Sequence, residues 1–538
     1  GLQRLREVSR AGTVVLLPSH KSHVDYIVLS YVLRSNLFEL PVVAAGDNLS
    51  FFPVGELLRR GGAFFIRRDF RGDRLYAAVV DAYVRRLLRD GYSIEFYLEG
   101  GRSRTGRLLA PQLGLLNLIV DSALSLEDRP IAFVPVSITY DRLMDDVELS
   151  REKLGATKRK ESARSLVSVL DAMSYEYGRV FVNFGAPIAL DEVVTDLGVD
   201  RAHVTPAKRR AVTSRIASQV MSGIHRAVPL SAGALVATAM LDMPGRGLSH
   251  PDLVARCGRL KTIATRHGAL AAPGLLHVDG RIREMAVREA ALVFVRGGLL
   301  REHLPDDTLG RRLSDMAPTD DTSDELIYAV PEEARLRLDI VKGQLLHFFA
   351  DRAIVSLAFL GAGARLVPLD RVLEDSQLLA GLLSHELTHL TDGPIETRLR
   401  WTLEDMIEFG ALGPLRATVV VGEGHERGDA MALLTSHASH LISVIESLRI
   451  ATRTIRLLRE EPLQKRALLR RALSIGRQMF LGGEIDRREA PNAPTLASAF
   501  EGFVDRGLLK RAKDGYELTD LATEEELRSL EAYLRTAS

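Results

Sequence analysis

Two residues near the start of the chain, His20 and Asp25, supply the side chains of a general base and of a carboxylate that could orient it. In a regular α-helix, residues five positions apart point about 140° from one another, so a helix could not bring both into one site. The sequence LLPSHKSHVDYIVLSYVL instead predicts a buried strand over Thr13–Pro18, a loop over 20–22 and a helix beginning near Asp25. The carboxylate could then hold the imidazole in one tautomer while the other ring nitrogen accepts a proton from an alcohol.

Three further blocks follow this pair in a fixed order. They are RRGGAFFIRRDFRGDRL at 59–75, EFYLEGGRSRTGRLLAP at 95–111 and IAFVPVSITYDR at 131–142. Together the four blocks closely resemble those of the glycerolipid acyltransferase superfamily. Their sequences are similar to those of the bacterial membrane-associated glycerol-3-phosphate acyltransferases. The resemblance is most specific over 14–190, where GATKRKES at 155–162 and VNFGAPI at 182–188 extend it, and it is looser beyond about residue 230.

The second block surrounds a short strand-like run with arginines. Arginine forks can grip phosphate oxygens through two hydrogen bonds at once, so this cluster suits an anion. A solvated basic face is the alternative for Arg59 and Arg60. The resemblance implies that Arg68 belongs to the substrate site and that Phe65 and Ile66 lie on the acyl-donor side.

The third block, EGGRSRTGR, follows the strand-like SIEFYLE. Its glycines would let the backbone approach a ligand closely, and Arg102, Ser103 and Arg104 offer hydrogen-bond donors. The spacing is not that of a Walker loop, so a nucleoside triphosphate is not expected. Glu99 would repel a phosphate, so we expect it to accept hydrogen bonds from glycerol hydroxyls or to orient an arginine, with an ordinary ion pair as the alternative. The resemblance implies that Glu99, Gly100 and Ser103 act in substrate binding.

Two lysines and a proline complete the candidate site. The resemblance implies that the lysines of GATKRKES approach the phosphate, but Arg159 between Lys158 and Lys160 leaves open which one does so. A helix-surface position is the alternative for Lys160. On sequence alone Pro135 would mark an edge strand, or end or bend its strand, whereas the resemblance places its block beside the acyl donor.

The resemblance implies acyl transfer from acyl-CoA or acyl-carrier protein to the 1-hydroxyl of sn-glycerol 3-phosphate, giving lysophosphatidic acid. Dihydroxyacetone phosphate or lysophosphatidate is the nearest alternative acceptor, because the same base and anion site would serve them. The acceptor alcohol is itself the nucleophile, so no serine or cysteine nucleophile and no cofactor is expected. The single cysteine, Cys257, is expected to be a packing residue.

A competing motif, HExxH, lies in SHELTHL at 384–390. His385 and His389 have the spacing of zinc peptidase ligands, with Glu386 between them. Glu404 or Glu408 could be a third ligand, but the glycine and third histidine of the metzincin extension are missing. Four ordered blocks outweigh one pentapeptide, so we expect a helix whose histidines pack or face water, and no metal.

Length and periodicity predict the architecture. A chain of 538 residues with 46% hydrophobic residues is too long for one ordinary core, and one cysteine excludes a disulfide framework. Short strand-like runs at 13–18, 41–46, 62–67, 93–98, 131–139 and 179–184 alternate with helical stretches. They predict an α/β acyltransferase domain with a central mixed sheet over 1–230, followed by a mainly α-helical domain over 231–538. In the second domain, the segments near 395–415 and 494–520 read as helix pairs followed by a short β-wing. A DNA-binding winged helix shares this pattern, but without a clear basic stripe we expect packing or regulation, and no internal repeat is evident. The net charge of +1 gives no reason to expect nucleic acid.

No stretch of 18 apolar residues predicts a membrane span. The resemblance implies a peripheral protein at the cytoplasmic face of the inner membrane, in contact with a lipid surface. Residues 57–60 with the neighbouring FFPVGELL, and the arginine-bearing run 450–473, are the candidate contacts. The chain begins Gly-Leu-Gln without a signal-peptide pattern and is expected to be a fragment.

Overall fold

The computed structural model describes the chain outside residues 51, 68–71, 127–128, 157–176, 243–246, 304–325, 365, 388–392, 409–410, 416–417, 422–426, 461–462, 514 and 538. Five residues named above therefore lie outside the described residues: Arg68, Lys158, Arg159, Lys160 and His389.

The first part of the chain forms a mixed sheet. Its strands are β1 (Thr13–Pro18), β2 (Val42–Gly46), β3 (Ala63–Ile66), β4 (Ile94–Glu95), β5 (Ile131–Tyr140), β6 (Val180–Phe184) and β7 (Ile188–Ala189). The spatial order is β3-β2-β4-β1-β5-β6, with β7 also beside β5. The strands from β3 to β5 pair in parallel, whereas β6 and β7 are antiparallel to β5. The predicted central mixed sheet is confirmed.

Helices cover both faces of this sheet. They are α1 (Leu2–Ala11), α2 (Asp25–Ser35), α3 (Val54–Arg60), α4 (Arg74–Asp90), α5 (Leu113–Leu124), α6 (Asp146–Lys153), and the helices Leu190–Asp196 and Pro206–Arg226. Successive residues of a strand point to opposite faces, so β1 contributes side chains to two hydrophobic cores. Val15 and Leu17 face α4, α5 and the helix Pro206–Arg226, while Val14 and Leu16 face α1 and α2.

Pro135 lies inside β5, which runs between β1 and β6, so the edge-strand interpretation was wrong. The Pro135 carbonyl accepts a hydrogen bond from the Gly185 amide at 2.8 Å. Gly185 lies between β6 and β7, where neither strand pairs with β5. The N–H that proline lacks would face this same interval, because the N–H and C=O of one strand residue share an edge. An interior proline is therefore tolerated here.

The second part of the chain is mainly helical, as predicted. Its helices are Ala232–Leu241, His250–Arg266, Glu284–Arg296, Arg335–Gly343, Ala350–Gly361, Leu369–Leu382, Ile395–Glu408, Arg427–Ser439, Ile442–Ile455, Lys465–Leu481, Ala493–Asp505 and Glu524–Ala537. Its short strands are β8 (Pro229–Leu230), β9 (Leu248–Ser249), β10 (Leu270–Ala271), β11 (Arg301–His303), β12 (Ile327–Ala329), β13 (Leu366–Pro368), β14 (Leu412–Leu415), β15 (Thr418–Val421), β16 (Leu463–Gln464), β17 (Leu509–Arg511) and β18 (Gly515–Leu518). Short 3-10 helices occupy Asp47–Leu49, Arg201–His203, Glu332–Ala334, Leu346–Phe348 and Arg456–Arg459.

This part contains a structural repeat that the sequence did not reveal. Three small sheets, β9-β12-β11, β13-β15-β14 and β16-β18-β17, are each antiparallel and pair their first strand with their last. Two helices separate the first strand from the other two in every case, which is the order of a winged helix. The two predicted helix-and-wing segments are thus confirmed, and a third precedes them. Leu399 and Phe500, on second helices of two units, are buried in one shared core, which supports packing as their role.

The two parts of the chain meet near α6. Lys153 Nζ lies 2.6 Å from Asp339 Oδ2, and both side chains are buried. Arg107 forms an ion pair with Glu386. The predicted division near residue 230 stays a prediction, although the central sheet and its covering helices end at Arg226. In the described ranges, no helix is both long and apolar enough to cross a bilayer.

Candidate active site

The His20–Asp25 pair forms at the carboxyl end of β1. β1 ends at Pro18 and α2 begins at Asp25, so the predicted strand, loop and helix are all confirmed. The turn between them brings His20 Nδ1 to 3.0 Å from Asp25 Oδ2. The two residues therefore have the geometry of an oriented general base.

The Asp25 carboxylate is fully buried and fixed by several donors. Its Oδ2 accepts hydrogen bonds from the backbone amides of Lys21 and Ser22 at 2.6 and 2.9 Å. Its Oδ1 accepts one from the Tyr140 hydroxyl at 2.5 Å. These contacts set the orientation of the carboxylate before it reaches the imidazole.

The His20 ring stacks on Tyr97, with ring centroids 4.1 Å apart and an angle of 29° between the planes. About a fifth of the His20 side chain, 21%, is exposed to solvent, in contrast to the buried Asp25. A hydroxyl group of a ligand can therefore reach the imidazole, while the Tyr97 ring limits the rotation of the imidazole.

Glu99 fixes the backbone of this loop. One of its carboxyl oxygens accepts the His20 amide at 2.7 Å and the other accepts the Leu109 amide at 2.8 Å. Burial raises the pKa of Glu99 to about 8, against the opposing effect of these two hydrogen bonds. Backbone amides thus contact both oxygens of Glu99. The expected contact of Glu99 with glycerol hydroxyls stays a prediction.

The loop EGGRSRTGR is joined to the loop that carries His20. The Ser103 amide donates to the His20 carbonyl at 2.8 Å, and the Ser103 hydroxyl donates to the Arg107 carbonyl at 2.5 Å. Gly100 has φ +64°, and a Cβ there would lie 2.8 Å from Cγ of Gln112, so this position favours glycine.

Arg102 and Arg104 are held by acidic side chains near α6. The Arg102 guanidinium lies 2.8 Å from Asp145 Oδ2 and is buried with it. Arg104 pairs with Glu152, and 38% of the Arg104 side chain is exposed. Of these two arginines, Arg104 thus presents the larger surface to a ligand, and their predicted substrate contacts are untested.

The candidate blocks meet at one edge of the sheet. β1, β2, β3 and β4 are parallel, so their carboxyl ends share the edge at which open α/β sheets bind ligands. His20 follows β1, EGGRSRTGR follows β4, and Phe65 and Ile66 end β3. Pro135 pairs with Leu17, one residue before β1 ends. This common edge is consistent with the predicted acyl-donor positions of Phe65, Ile66 and Pro135, which stay predictions.

Sequence analysis missed Glu95 and Tyr97. With Glu99 they recur at every second position, the period of a strand, and they lie on the face that carries the His20–Asp25 pair. Burial raises the pKa of Glu95 to about 8, and the nearby Asp25 charge acts in the same direction. The alternation of acid, aromatic ring and acid was visible in EFYLE and could have identified them.

The HExxH segment is used differently from a zinc site. Residues 383–386 form a turn after the helix Leu369–Leu382, not a continuing helix. Glu386 pairs with Arg107, and His385 Nε2 lies 2.7 Å from Asp505 Oδ2. No group of three metal-binding side chains occurs in the described part of the chain. These contacts favour a structural role for His385 and Glu386, while His389 lies outside the described residues.

Glu95 makes stability depend on pH. The unfolded carboxyl ionises near its ordinary pKa of 4.5, whereas the buried group stays protonated until about pH 8. Between these values the folded state binds the additional proton, so this residue lowers stability as the pH rises. We expect Glu95→Gln to gain stability relative to the unmodified chain as the pH increases from 5 to 8, measured by thermal unfolding at each pH. Glu7→Gln, at an exposed site, is the control; parallel curves for the unmodified chain and Glu95→Gln would contradict the prediction.

Comparison with known proteins identifies the family of this chain. A family model described as glycerol-3-phosphate acyltransferase C-terminal region matches residues 150–512, and one described as acyltransferase matches residues 2–139. The glycerol-3-phosphate acyltransferase of Pasteurella multocida (strain Pm70) is 40% identical over 257 residues, covering 47% of this chain and 32% of that protein. Those of Pseudomonas paraeruginosa (strain DSM 24068 / PA7) and Xylella fastidiosa (strain M23) are 40% and 38% identical over 261 and 265 residues, covering 47% and 48% of this chain.

The aligned part of this chain spans about a third of the length of these curated relatives, 31–32%. The family model for the C-terminal region covers well over half of the chain. The chain therefore belongs to the glycerol-3-phosphate acyltransferase family.

Proposed function

We propose that this protein transfers a fatty acyl group from acyl-CoA or acyl-carrier protein to the 1-hydroxyl of sn-glycerol 3-phosphate. The observation that carries the proposal is the 3.0 Å contact between His20 Nδ1 and Asp25 Oδ2 at the carboxyl edge of the sheet. The names of the relatives supply the acceptor. The product would be lysophosphatidic acid, the first intermediate of phospholipid synthesis.

In this reaction His20 accepts the proton of the 1-hydroxyl through the ring nitrogen that does not contact Asp25. The hydroxyl oxygen attacks the thioester carbonyl carbon, a new C–O ester bond forms and the C–S bond breaks. The protonated His20 then gives its proton to the leaving thiolate, which restores the base. Asp25 stabilises the imidazolium between these steps, and the chain needs no cofactor beyond the acyl donor.

The acceptor phosphate would bind beside the loop EGGRSRTGR. Arg104 supports this position because part of its side chain is exposed, and the loop that carries it is joined to His20 through the Ser103 amide. Arg68, Lys158 and Lys160 are the further cations that we assign to the phosphate, and Arg102 would hold the loop through Asp145. The acyl chain would lie toward Phe65, Ile66 and Pro135.

A lipid surface is the proposed site of action, at the cytoplasmic face of the inner membrane. Leu75, Val79 and Tyr83 recur at four-residue spacing on α4 and are 77%, 58% and 43% exposed. Phe52, just before α3, is also exposed. The starts of α3 and α4 lie toward the carboxyl edge, because each helix follows a parallel strand and runs back antiparallel to it. With Arg59 and Arg60 exposed on α3, this surface combines apolar and cationic side chains, as binding to anionic lipid requires.

The two segments that the sequence singled out differ. Leu57 is exposed and belongs to this surface. The predicted membrane contact of the second segment, 450–473, was partly wrong, because the helix Ile442–Ile455 is almost wholly buried in the helical core. The later helix Lys465–Leu481 does expose arginines, but it lies on a different unit.

We expect the double variant Leu75→Asp, Val79→Asp to sediment with anionic phospholipid vesicles at least about tenfold less than the unmodified chain, because two apolar side chains become charged. Leu481→Asp, at a similarly exposed leucine outside this surface, is the matched control. Equal loss in both variants, or no loss in the double variant, would contradict this assignment. Activity in detergent should be unchanged.

The proposed reaction is tested by thiol release from palmitoyl-CoA in the presence of lipid, with sn-glycerol 3-phosphate, dihydroxyacetone phosphate and lysophosphatidate as separate acceptors. We expect release with glycerol 3-phosphate. Release only with one of the other acceptors would replace the substrate assignment. If palmitoyl-CoA gives none, the same assay with palmitoyl-acyl-carrier protein decides, and failure with both donors would overturn the proposal.

A further inference from the structure

The His20–Asp25 pair has a third member. The hydroxyl of Tyr140, the last residue of β5, donates to Asp25 Oδ1 at 2.5 Å, while Asp25 Oδ2 contacts His20 Nδ1 at 3.0 Å. Tyr140 is 1% exposed and Asp25 is 0% exposed. A buried hydrogen bond to a charged oxygen is strong, and losing it leaves that oxygen desolvated. Tyr140 therefore fixes which carboxylate oxygen faces the imidazole.

Tyr140 is itself held by the helical part of the chain. The Gln344 side-chain amide accepts a hydrogen bond from the Tyr140 amide at 3.0 Å and donates one to the Tyr140 carbonyl at 2.8 Å. Gln344 directly follows the helix Arg335–Gly343 and is 2% exposed. It replaces the missing neighbouring strand, since β1 ends at Pro18, opposite Val136.

The residue between β1 and His20 is anchored in the same way. The Ser19 amide donates to the Val136 carbonyl at 2.9 Å, and the Ser19 hydroxyl contacts both the Ile138 amide and the Ile138 carbonyl, at 3.0 and 3.3 Å. Side chains thus continue the β1–β5 ladder past the end of β1. Ser19 thus ties the residue next to His20 to β5, the strand that ends at Tyr140. Gln344, from the helical part, makes the corresponding contacts at Tyr140.

We propose that Tyr140 is a positioning residue for the His20–Asp25 base and that Gln344, from the helical part, holds it in place. The inference rests on the proposed function for its kinetic consequence. The helical part then has a defined role in the reaction, because it completes the strand end that orients Asp25. Without the hydroxyl, more of the Asp25 charge is available to the imidazole, so His20 retains its proton to higher pH.

Other ionisable groups surround Asp25, and replacing Tyr140 by phenylalanine leaves them unchanged. On the face shared with Asp25 they are Glu95, Tyr97, Glu99, Lys21 and Asp145. Lys21 is buried, which lowers its pKa to about 8. None of these groups replaces the Tyr140 hydroxyl at Asp25 Oδ1 in the described contacts, so removal of that hydroxyl isolates its effect.

The test is Tyr140→Phe in the full chain, assayed for thiol release across pH 5 to 9. We expect kcat to fall by between about tenfold and a hundredfold, and the acid limb of the pH–rate profile to move to higher pH. Tyr328→Phe is the matched control, because Tyr328 is also fully buried and its hydroxyl makes no hydrogen bond within the described part of the chain. Gln344→Met should change kcat and the profile in the same direction as Tyr140→Phe.

A second measurement separates this inference from the proposed function. The imidazole titration of His20 can be followed by NMR, with its signal assigned through its loss in His20→Ala. Tyr140→Phe should move that titration to higher pH even if no acceptor is acylated, whereas Tyr328→Phe should not. An unchanged titration, or an unchanged acid limb in an active enzyme, would overturn the positioning role, while an inactive unmodified chain would overturn only the proposed reaction.

Discussion

Replacement of His20 by alanine is expected to lower kcat by about 10²- to 10⁴-fold, the usual contribution of a general base. The acceptor hydroxyl would then lose its proton to no positioned group, while both substrates could still bind. Since His20 is partly exposed and its amide and carbonyl, not its ring, join the loop to Glu99 and Ser103, the fold should persist. Thiol release at saturating substrate measures the effect, and circular dichroism verifies the fold.

The chain offers a matched control for this change. His203 Nδ1 also lies 3.0 Å from an aspartate, Asp200, but His203 is 86% exposed at the surface. His203→Ala should therefore keep full activity. If both variants lose activity equally, or if His20→Ala keeps more than about a tenth of it, His20 is not the base.

The local geometry of the pair could be predicted from the sequence because it depends on neighbouring residues. An apolar run ending in Pro18, a short polar loop and a helical pattern determine where β1 ends and where α2 begins. The bounds of β1 agree with the prediction residue for residue. The main strands around it were also predicted, since each is a short apolar run between turn signals.

The residues that hold the His20–Asp25 pair in place, Tyr140 and Gln344, could not be predicted in this way. Tyr140 is 115 positions from Asp25, and Gln344 is 204 positions from Tyr140. A tyrosine at a strand end and a glutamine after a helix are individually unremarkable, and only the fold brings them to one carboxylate. The interior position of Pro135 was likewise hidden, because it depends on where β6 and β7 stop pairing with β5.

The repeated units of the helical part illustrate a related limit. Their strands are two to four residues long, too short for a clear alternation of apolar and polar residues. Connections of different length separate corresponding helices, so no fixed sequence period exists. The topology emerges only from strand pairing, which joins the first strand of each unit to its last.

Asp25→Asn is the second substitution with a large expected effect, again a fall in kcat of about 10²- to 10⁴-fold. The amide oxygen could still accept the backbone amides of Lys21 and Ser22, and the Tyr140 hydroxyl could turn to accept from the amide nitrogen. The neutral group would not stabilise the imidazolium. Because charge-assisted bonds become neutral ones, the free energy of unfolding should fall by about 1–3 kcal/mol, measured in urea.

Asp200→Asn is the corresponding control, because that carboxylate contacts an exposed imidazole and should affect neither quantity strongly. The comparison separates orientation from folding. A large loss of kcat in a folded Asp25→Asn chain means that the carboxylate charge serves the base. Unfolding with activity in proportion to the folded fraction would mean instead that Asp25 only closes the turn between β1 and α2, and the paired role assigned here would be wrong.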